Sequence, residues 1–174
     1  MSADAASSRE RSAIVITASD RSAAGEREDR TGADIAARLE ALGFRVERRV
    51  VPDDQPTIEQ ALRDATSRYA LTITTGGTGL TPRDVTPQAT LAVLDYQVPG
   101  LAEAMRAEGR RHTPMASLSR AVVGVRGRSL VINLPGSPRG AVESLEAIEP
   151  VLDHALETLA GPFDHAVAAA DRKA

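Results

Sequence analysis

The hydrophobic pattern opens with an unbroken apolar run, Ala13–Thr17 (AIVIT), which predicts a strand buried on both faces. Helical periodicity follows over Thr31–Leu42. Ile35, Leu39 and Leu42 share a face, Thr31 with Asp34 resembles a capping box, and Gly43 supplies the stop. Phe44–Val51 predicts a second strand, near an edge because Arg45 and Glu47 alternate with apolar residues. The turn PDDQP leads to a helix over Thr57–Ser67, with Ile58, Leu62 and Ala65 inward, and Ala70–Thr74 predicts a third strand. Thr86 is the expected cap of a helix with Pro87 at its first position, ending near Leu94. A VPG turn then precedes a helix near Leu101–Gly109, and RRHTPMASLSR reads as a loop and a short helix. Ala121–Val125 and Ser129–Asn133 predict a hairpin joined at Arg126–Arg128, and a closing helix from about Gly140 to Leu159 is interrupted at Pro150.

Strand–helix alternation in the first half implies right-handed crossovers and a mostly parallel sheet covered by helices on both sides. The expected class is a three-layer α/β/α fold whose mixed sheet gains one antiparallel strand from the hairpin. Residues 12–161 read as a single domain, with 1–11 a polar extension and 162–174 a tail. A chain of 174 residues is long enough to bury roughly 70% of the surface its unfolded form exposes.

Composition narrows the chemistry. A net charge of −3 gives no electrostatic reason to expect nucleic acid, and 2% aromatic residues offer few stacking platforms for bases. Cysteine is absent, which removes disulfides, thiolate metal sites and cysteine nucleophiles. His112, His154 and His165 lack zinc-enzyme spacing, and Lys173 is the only lysine, which removes Schiff-base and P-loop lysine chemistry. No apolar run reaches the ~18 residues of a membrane span, and the N-terminal stretch is polar, so no membrane partner and a cytoplasmic protein are expected.

The loops then separate into two kinds. Those entering strands are terse, as at Leu42-Gly43 and Arg68-Tyr69. Those leaving strands are long and polar: ASDRSAAGEREDR, PDDQP, TTGGTGLTPRD and NLPGSPRG. Ligands of open parallel sheets bind beyond the carboxyl ends of the strands, so one edge is furnished for a phosphate-like ligand.

In TTGGTG, the glycines at 76, 77 and 79 let successive N–H groups turn toward an anion, and Thr75 and Thr78 add hydroxyls. The next helix start offers further N–H groups. The lysine of a Walker loop is missing, so another cation must offset the phosphate charge; Asp84 can hold Mg²⁺ for that purpose. The competing reading is a tight turn in which Asp84 caps a helix. Asp53 and Asp54 sit at the neighbouring exit, where one of them can share the ion with Asp84 or both can be ordinary turn residues. Ser19-Asp20-Arg21 is a candidate for phosphate or a polar heterocycle edge. Asn133 is a candidate reader of a base or pterin edge. Within the Pro135-Gly136-Ser137 turn, Gly136 and Ser137 offer N–H groups, unless Ser137 merely caps the helix. Glu26–Arg30 reads as a solvated charge run, while Arg110, Arg111, His112 and His154 read as surface.

ITASDRSAAGEREDRTG, VVPDDQ, TTGGTGLTPRDVTPQAT, TPMASLSR and INLPGSPRG, in this order over about Ala13–Leu159, resemble the MogA/MoaB family of molybdenum cofactor biosynthesis proteins, to which the G domain of gephyrin is related. The resemblance implies an α/β fold, a homotrimer, molybdopterin as substrate and Mg²⁺ with ATP. The implied reaction is adenylyl transfer to the terminal phosphate of molybdopterin, with the product passing to the molybdate-inserting enzyme. The family's two important aspartates match Asp53 and Asp84, as metal-holding and catalytic residues. Its serine matches Ser119, its asparagine Asn133, and its GGTG segment Gly76–Gly79. Where many relatives carry an acidic residue after VTP, this chain has Gln88. A MoaB-type paralogue, or a molybdopterin carrier or scaffold without adenylyl transfer, is the alternative.

Overall fold

The computed structural model describes residues 11–161. The N-terminal extension up to residue 10 and the tail from 162, with His165 and Lys173, lie outside the described residues. Arg11, read as part of the extension, is tied to the body: its guanidinium donates to Leu42 O at 3.2 Å and pairs with Asp153 at 2.9 Å.

The chain runs β1 (Ser12–Ala18), α1 (Asp20–Ala23), α2 (Arg30–Ala41), β2 (Arg45–Val51), α3 (Gln55–Arg68), β3 (Leu71–Thr75) and α4 (Thr86–Leu91). It continues with β4 (Tyr96–Gln97), α5 (Pro99–His112), a 3-10 helix (Pro114–Leu118), β5 (Val123–Arg126), β6 (Ser129–Leu134), α6 (Pro138–Glu146) and α7 (Glu149–Ala160). The sheet order is β2-β1-β3-β6-β5-β4. Parallel pairing joins β2, β1, β3 and β6, whereas β5 runs antiparallel to both of its neighbours. The mixed α/β/α sheet expected from the pattern is therefore present, with β5 as its one reversed strand.

Alternation along β1 assigns the two cores. Ala13 and Val15 face a cluster completed by Ile35 and Leu39 of α2, Met105 of α5, Leu145 of α6 and Leu152 of α7. Ile14 and Ile16 face the other, with Ile58 and Leu62 of α3 and Ala89 of α4. Both faces of β1 are dry, as its unbroken apolar run required. The polar strand β2 lies at the edge, as its arginines suggested.

Several boundaries move. Helix α2 is capped by Asp29, whose carboxylate accepts from Gly32 N at 2.8 Å, so the expected Thr31–Asp34 box does not form. Asp54 caps α3. Thr86 lies inside α4, which Val85 precedes without a side-chain cap bond and which ends at Leu91 rather than Leu94. The closing helix is two helices, with Pro150 in the first turn of α7. A bidentate Arg38–Glu149 pair (2.7 and 2.8 Å) fixes α7 against α2. Among the described residues no helix is long and apolar enough to cross a membrane.

Candidate active site

Because β2, β1, β3 and β6 are parallel neighbours, their four carboxyl-end loops line up along one edge in that order. The chain goes from β1 to β2 on one side and returns to β3 on the other, so the crevice opens between the exits of β1 and β3, where strand order reverses.

The glycine loop after β3 enters this crevice in a conformation that side chains oppose. Gly76 and Gly77 have φ of 90° and 62°. A Cβ on Gly76 would lie 2.5 Å from Ala18 O, and one on Gly136 would lie 3.3 Å from Gly76 Cα. The β3 and β6 loops therefore lie backbone to backbone, with Gly76 N donating to Leu134 O at 3.2 Å, and two hollows open along the edge. The larger, about 270 Å³, is walled by Thr78, Met105, Met115, Leu118, Ser119 and Ser137. The smaller, about 110 Å³, is bounded by Ser19, Ser22, Asp29, Thr75, Gly76 and Gly136.

Asp53 and Asp84 approach different glycines of the loop. A Cβ on Gly77 would come within 3.5 Å of Asp53 Oδ1, and one on Gly79 within 2.9 Å of Asp84 Oδ2. Asp53 is locked to Asp20 by a reciprocal pair: Asp20 N donates to Asp53 Oδ2 at 3.0 Å, and Asp53 N donates to Asp20 Oδ1 at 2.9 Å. Arg83 in turn donates to Asp20. Burial pushes the Asp53 carboxyl up from its ordinary value, and the neighbouring Asp20 and Asp84 charges add to that. Asp20 is held low, first by the Arg83 bond and then by the Asp53 amide.

Asp84 stands differently. Burial pulls its carboxyl upward, but bonds from Thr81 and the Gly79 amide, with the Arg120 charge, outweigh this and hold it low. Thr81 N donates to Oδ2 at 2.7 Å. Arg120 clasps the loop from outside: its Nε donates to Gly79 O at 2.6 Å, its Nη2 to Asp84 O, and its amide to Thr78 O at 3.0 Å.

Other candidates have structural work. Asn133 is fully buried. Its amide donates to Thr74 Oγ1 and Thr90 Oγ1, both at 2.9 Å, and accepts from Val122 N at 3.2 Å. It ties β6 to β3, α4 and the stretch before β5, and it also lines the larger hollow. Thr75 is likewise buried, 3.0 Å from Thr17 Oγ1. Ser19 caps α1, and Asp20 faces Asp53 rather than an anion. Ser137 takes the position before α6 but makes no side-chain cap bond, so its hydroxyl is left to the larger hollow. Ser119 and Pro135 line the same hollow, and Asp54 is spent on Thr57.

Sequence reasoning passed over Asp29, Arg83, Arg120 and Thr86. Asp29, set aside within a solvated charge run, also accepts from Thr17 Oγ1 at 2.9 Å beneath the smaller hollow. The two arginines adjoin singled-out residues, Asp84 and Ser119, but nothing in a linear pattern says which carbonyls they reach.

The donor set suits Mg²⁺. Two carboxylates reach one glycine loop, at Gly77 and Gly79, with Asp20 beside the first, and no cluster of three or more acidic or histidine side chains arranged to hold a metal occurs among the described residues. That is the sparse oxygen site expected for an ion whose remaining positions are filled by water and substrate phosphates.

Fold and site together define an α/β protein whose polar strand-exit loops gather at a topological switch point. Residues 14–154 match the family described as a probable molybdopterin binding domain, and the chain belongs to that family. It is 43% identical over 140 residues to the molybdopterin adenylyltransferase of Haemophilus influenzae, covering 78% of this chain and 71% of that one. Among solved structures, MoaB from Thermus thermophilus superposes with a TM-score of 0.81 at 52% identity, covering 86% and 96% of the two chains. The Mog protein of Mycobacterium ulcerans gives 0.82 at 46% identity, over 86% and 99%.

Proposed function

We propose that this chain is a molybdopterin adenylyltransferase. An oxygen of molybdopterin's terminal phosphate attacks the α-phosphorus of ATP, a new P–O bond forms, and the bond to the departing pyrophosphate breaks. The products are adenylylated molybdopterin and pyrophosphate. The observation that carries this reading is the arrangement at the sheet edge: the glycine loop borders two hollows, the larger at Thr78 and Gly79 and the smaller at Thr75 and Gly76, with Asp53 and Asp84 beside the same loop. Two substrates can occupy the hollows with their phosphates meeting at the glycines.

The nucleophile is already an anion, so the reaction needs positioning and charge stabilisation more than a general base. The main chain of Gly76–Gly79 is the phosphate-facing element, as Ser119 and Ser137 are the hydroxyls of the larger hollow. Asp53 and Asp84 would hold Mg²⁺, which when bound offsets charge on the α-phosphate and pyrophosphate. Asn133 and Arg120 act at one remove by fixing the loops. The family resemblance further supports a homotrimer, a cytoplasmic setting and delivery of the product to a molybdate-inserting enzyme.

Anaerobic incubation with molybdopterin, ATP and Mg²⁺ tests the reading, with Asp53→Ala and Asp84→Ala alongside. Adenylylated molybdopterin and pyrophosphate are expected from the wild type alone. Similarity to proteins called MoaB as well as Mog gives the second reading its footing. Tight molybdopterin binding without product would assign the chain to an inactive branch or a carrier role.

A further inference from the structure

Thr86 is wholly buried at the start of α4, and its Oγ1 has no hydrogen-bond partner among the described residues. Its main chain is fully used: the amide donates to Gly77 O at 3.2 Å, and the carbonyl accepts from Thr90 Oγ1 at 2.8 Å. An unpaired buried hydroxyl forgoes the hydrogen bonds it makes to water and so weakens the fold, whereas valine, of nearly the same shape, forgoes none.

The position of the hydroxyl gives this defect a meaning. Thr86 Oγ1 lies 2.4 Å from the point a Cβ on Gly77 would occupy, and Asp53 Oδ1 lies 3.5 Å from the same point. The Thr86 hydroxyl thus packs where a side chain on Gly77 would begin, with Asp53 Oδ1 of another loop close by. Asp53 Oδ2 is taken by Asp20 N at 3.0 Å, so Oδ1 is the oxygen left for an ion.

We propose that Thr86 is a positioning residue of the cation site, its hydroxyl holding a water of the Mg²⁺ that Asp53 carries. This rests on the assignment of Asp53 as a cation ligand. Mg²⁺ gives up its waters reluctantly, and a metal-bound water donates strongly and needs acceptors. With Asp53 Oδ1 as the ion's ligand, Thr86 Oγ1 is the acceptor beside it. The arrangement explains why a hydroxyl stands where valine would pack as well: the group lacks a partner until the ion arrives.

The test is a titration of the full chain with Mn²⁺ in place of Mg²⁺, following free Mn²⁺ by electron paramagnetic resonance, with thermal unfolding of the ion-free protein in parallel. Thr86→Val is expected to weaken Mn²⁺ binding about 10-fold, the lower end for residues that orient metal ligands, with a Tm no lower than wild type. Thr86→Ser and Thr86→Ala both lose the methyl group and differ only in the hydroxyl. Serine should bind Mn²⁺ like wild type and alanine like valine, and this pair decides the matter should the valine protein fail to fold. Mn²⁺ affinities of the valine and alanine variants within twofold of wild type, with Asp53→Asn clearly weakened, would overturn the role of Thr86 alone. Unchanged binding by Asp53→Asn as well would overturn the cation site itself, and this inference with it.

Discussion

The loops carrying Asp53 and Asp84 are both polar strand exits with a carboxylate shortly after a proline, yet the fold treats them in opposite ways. Asp84 is built in: Thr81, Gly79 and Arg120 hold the carboxylate ionised and anchor its loop. Asp53 is poised: burial penalises its charge, and a single amide, Asp20 N, fixes one of its oxygens. One carboxylate is therefore tied into the architecture, while burial works against the charge of the other. A charge kept against its burial is what the proposed cation-binding role requires of Asp53.

Asp53→Asn draws that difference most sharply. Loss of a cation ligand should lower turnover on the order of 10³-fold, several kcal/mol of transition-state stabilisation. Asparagine can still accept from Asp20 N and no longer carries the penalised charge, so calorimetric Tm at neutral pH should hold or rise. A clear fall in Tm would contradict the poised description.

Arg120→Ala attacks the built-in side. It leaves Gly79 O and Asp84 O without their guanidinium donor, and a loss of about 1–3 kcal/mol in denaturant unfolding is expected. The KM for ATP should rise as the loop loosens, whereas Arg120→Lys, which cannot span both carbonyls in a fork, should fall between alanine and wild type. Gly77→Ala forces an L side chain to φ near 62° against Thr86 Oγ1 and should destabilise by about 1–3 kcal/mol. Gly79→Ala, where no positive φ is involved, should do less harm to stability but shift Asp84, read as reduced kcat.

The smallest effect is in pH. Asp53 has a raised folded-state pKa, so its contribution favours the folded protein at low pH and is lost as pH rises through that value. Asp84, held low, contributes stability above its unfolded value that is lost as pH falls through the folded one. The proposed cation binding needs both ionised. The acid limb of the activity profile should therefore follow Asp53, with Asp84 still charged where activity has fallen away.

Much of this was legible in the sequence because burial on both faces leaves an unmistakable record. AIVIT, the polar edge strand and the break before Pro150 all read correctly. Strand β4 did not, since Tyr96–Gln97 is too short to show a period and forms only because β5 offers an open edge. The site was legible at the level of loops, since glycine, threonine and aspartate gather at strand exits for reasons of backbone freedom and charge. It was not legible at the level of partners. Asn133 suggested an edge reader, and its bonds to Thr74, Thr90 and Val122, brought together only by packing, could not be read from the chain. Asp29 lay in a charge-rich run whose composition signals solvent, and only the return of α2 against β1 sets it beneath the smaller hollow.

The most direct test measures molybdopterin affinity and ATP-dependent pyrophosphate release side by side in wild type and Asp53→Asn, under anaerobic conditions. If Asp53 serves the chemical step through a cation, affinity for molybdopterin stays within a few-fold while pyrophosphate release falls on the order of 10³-fold. Equal losses in both would make Asp53 a binding residue and remove the basis for the catalytic assignment.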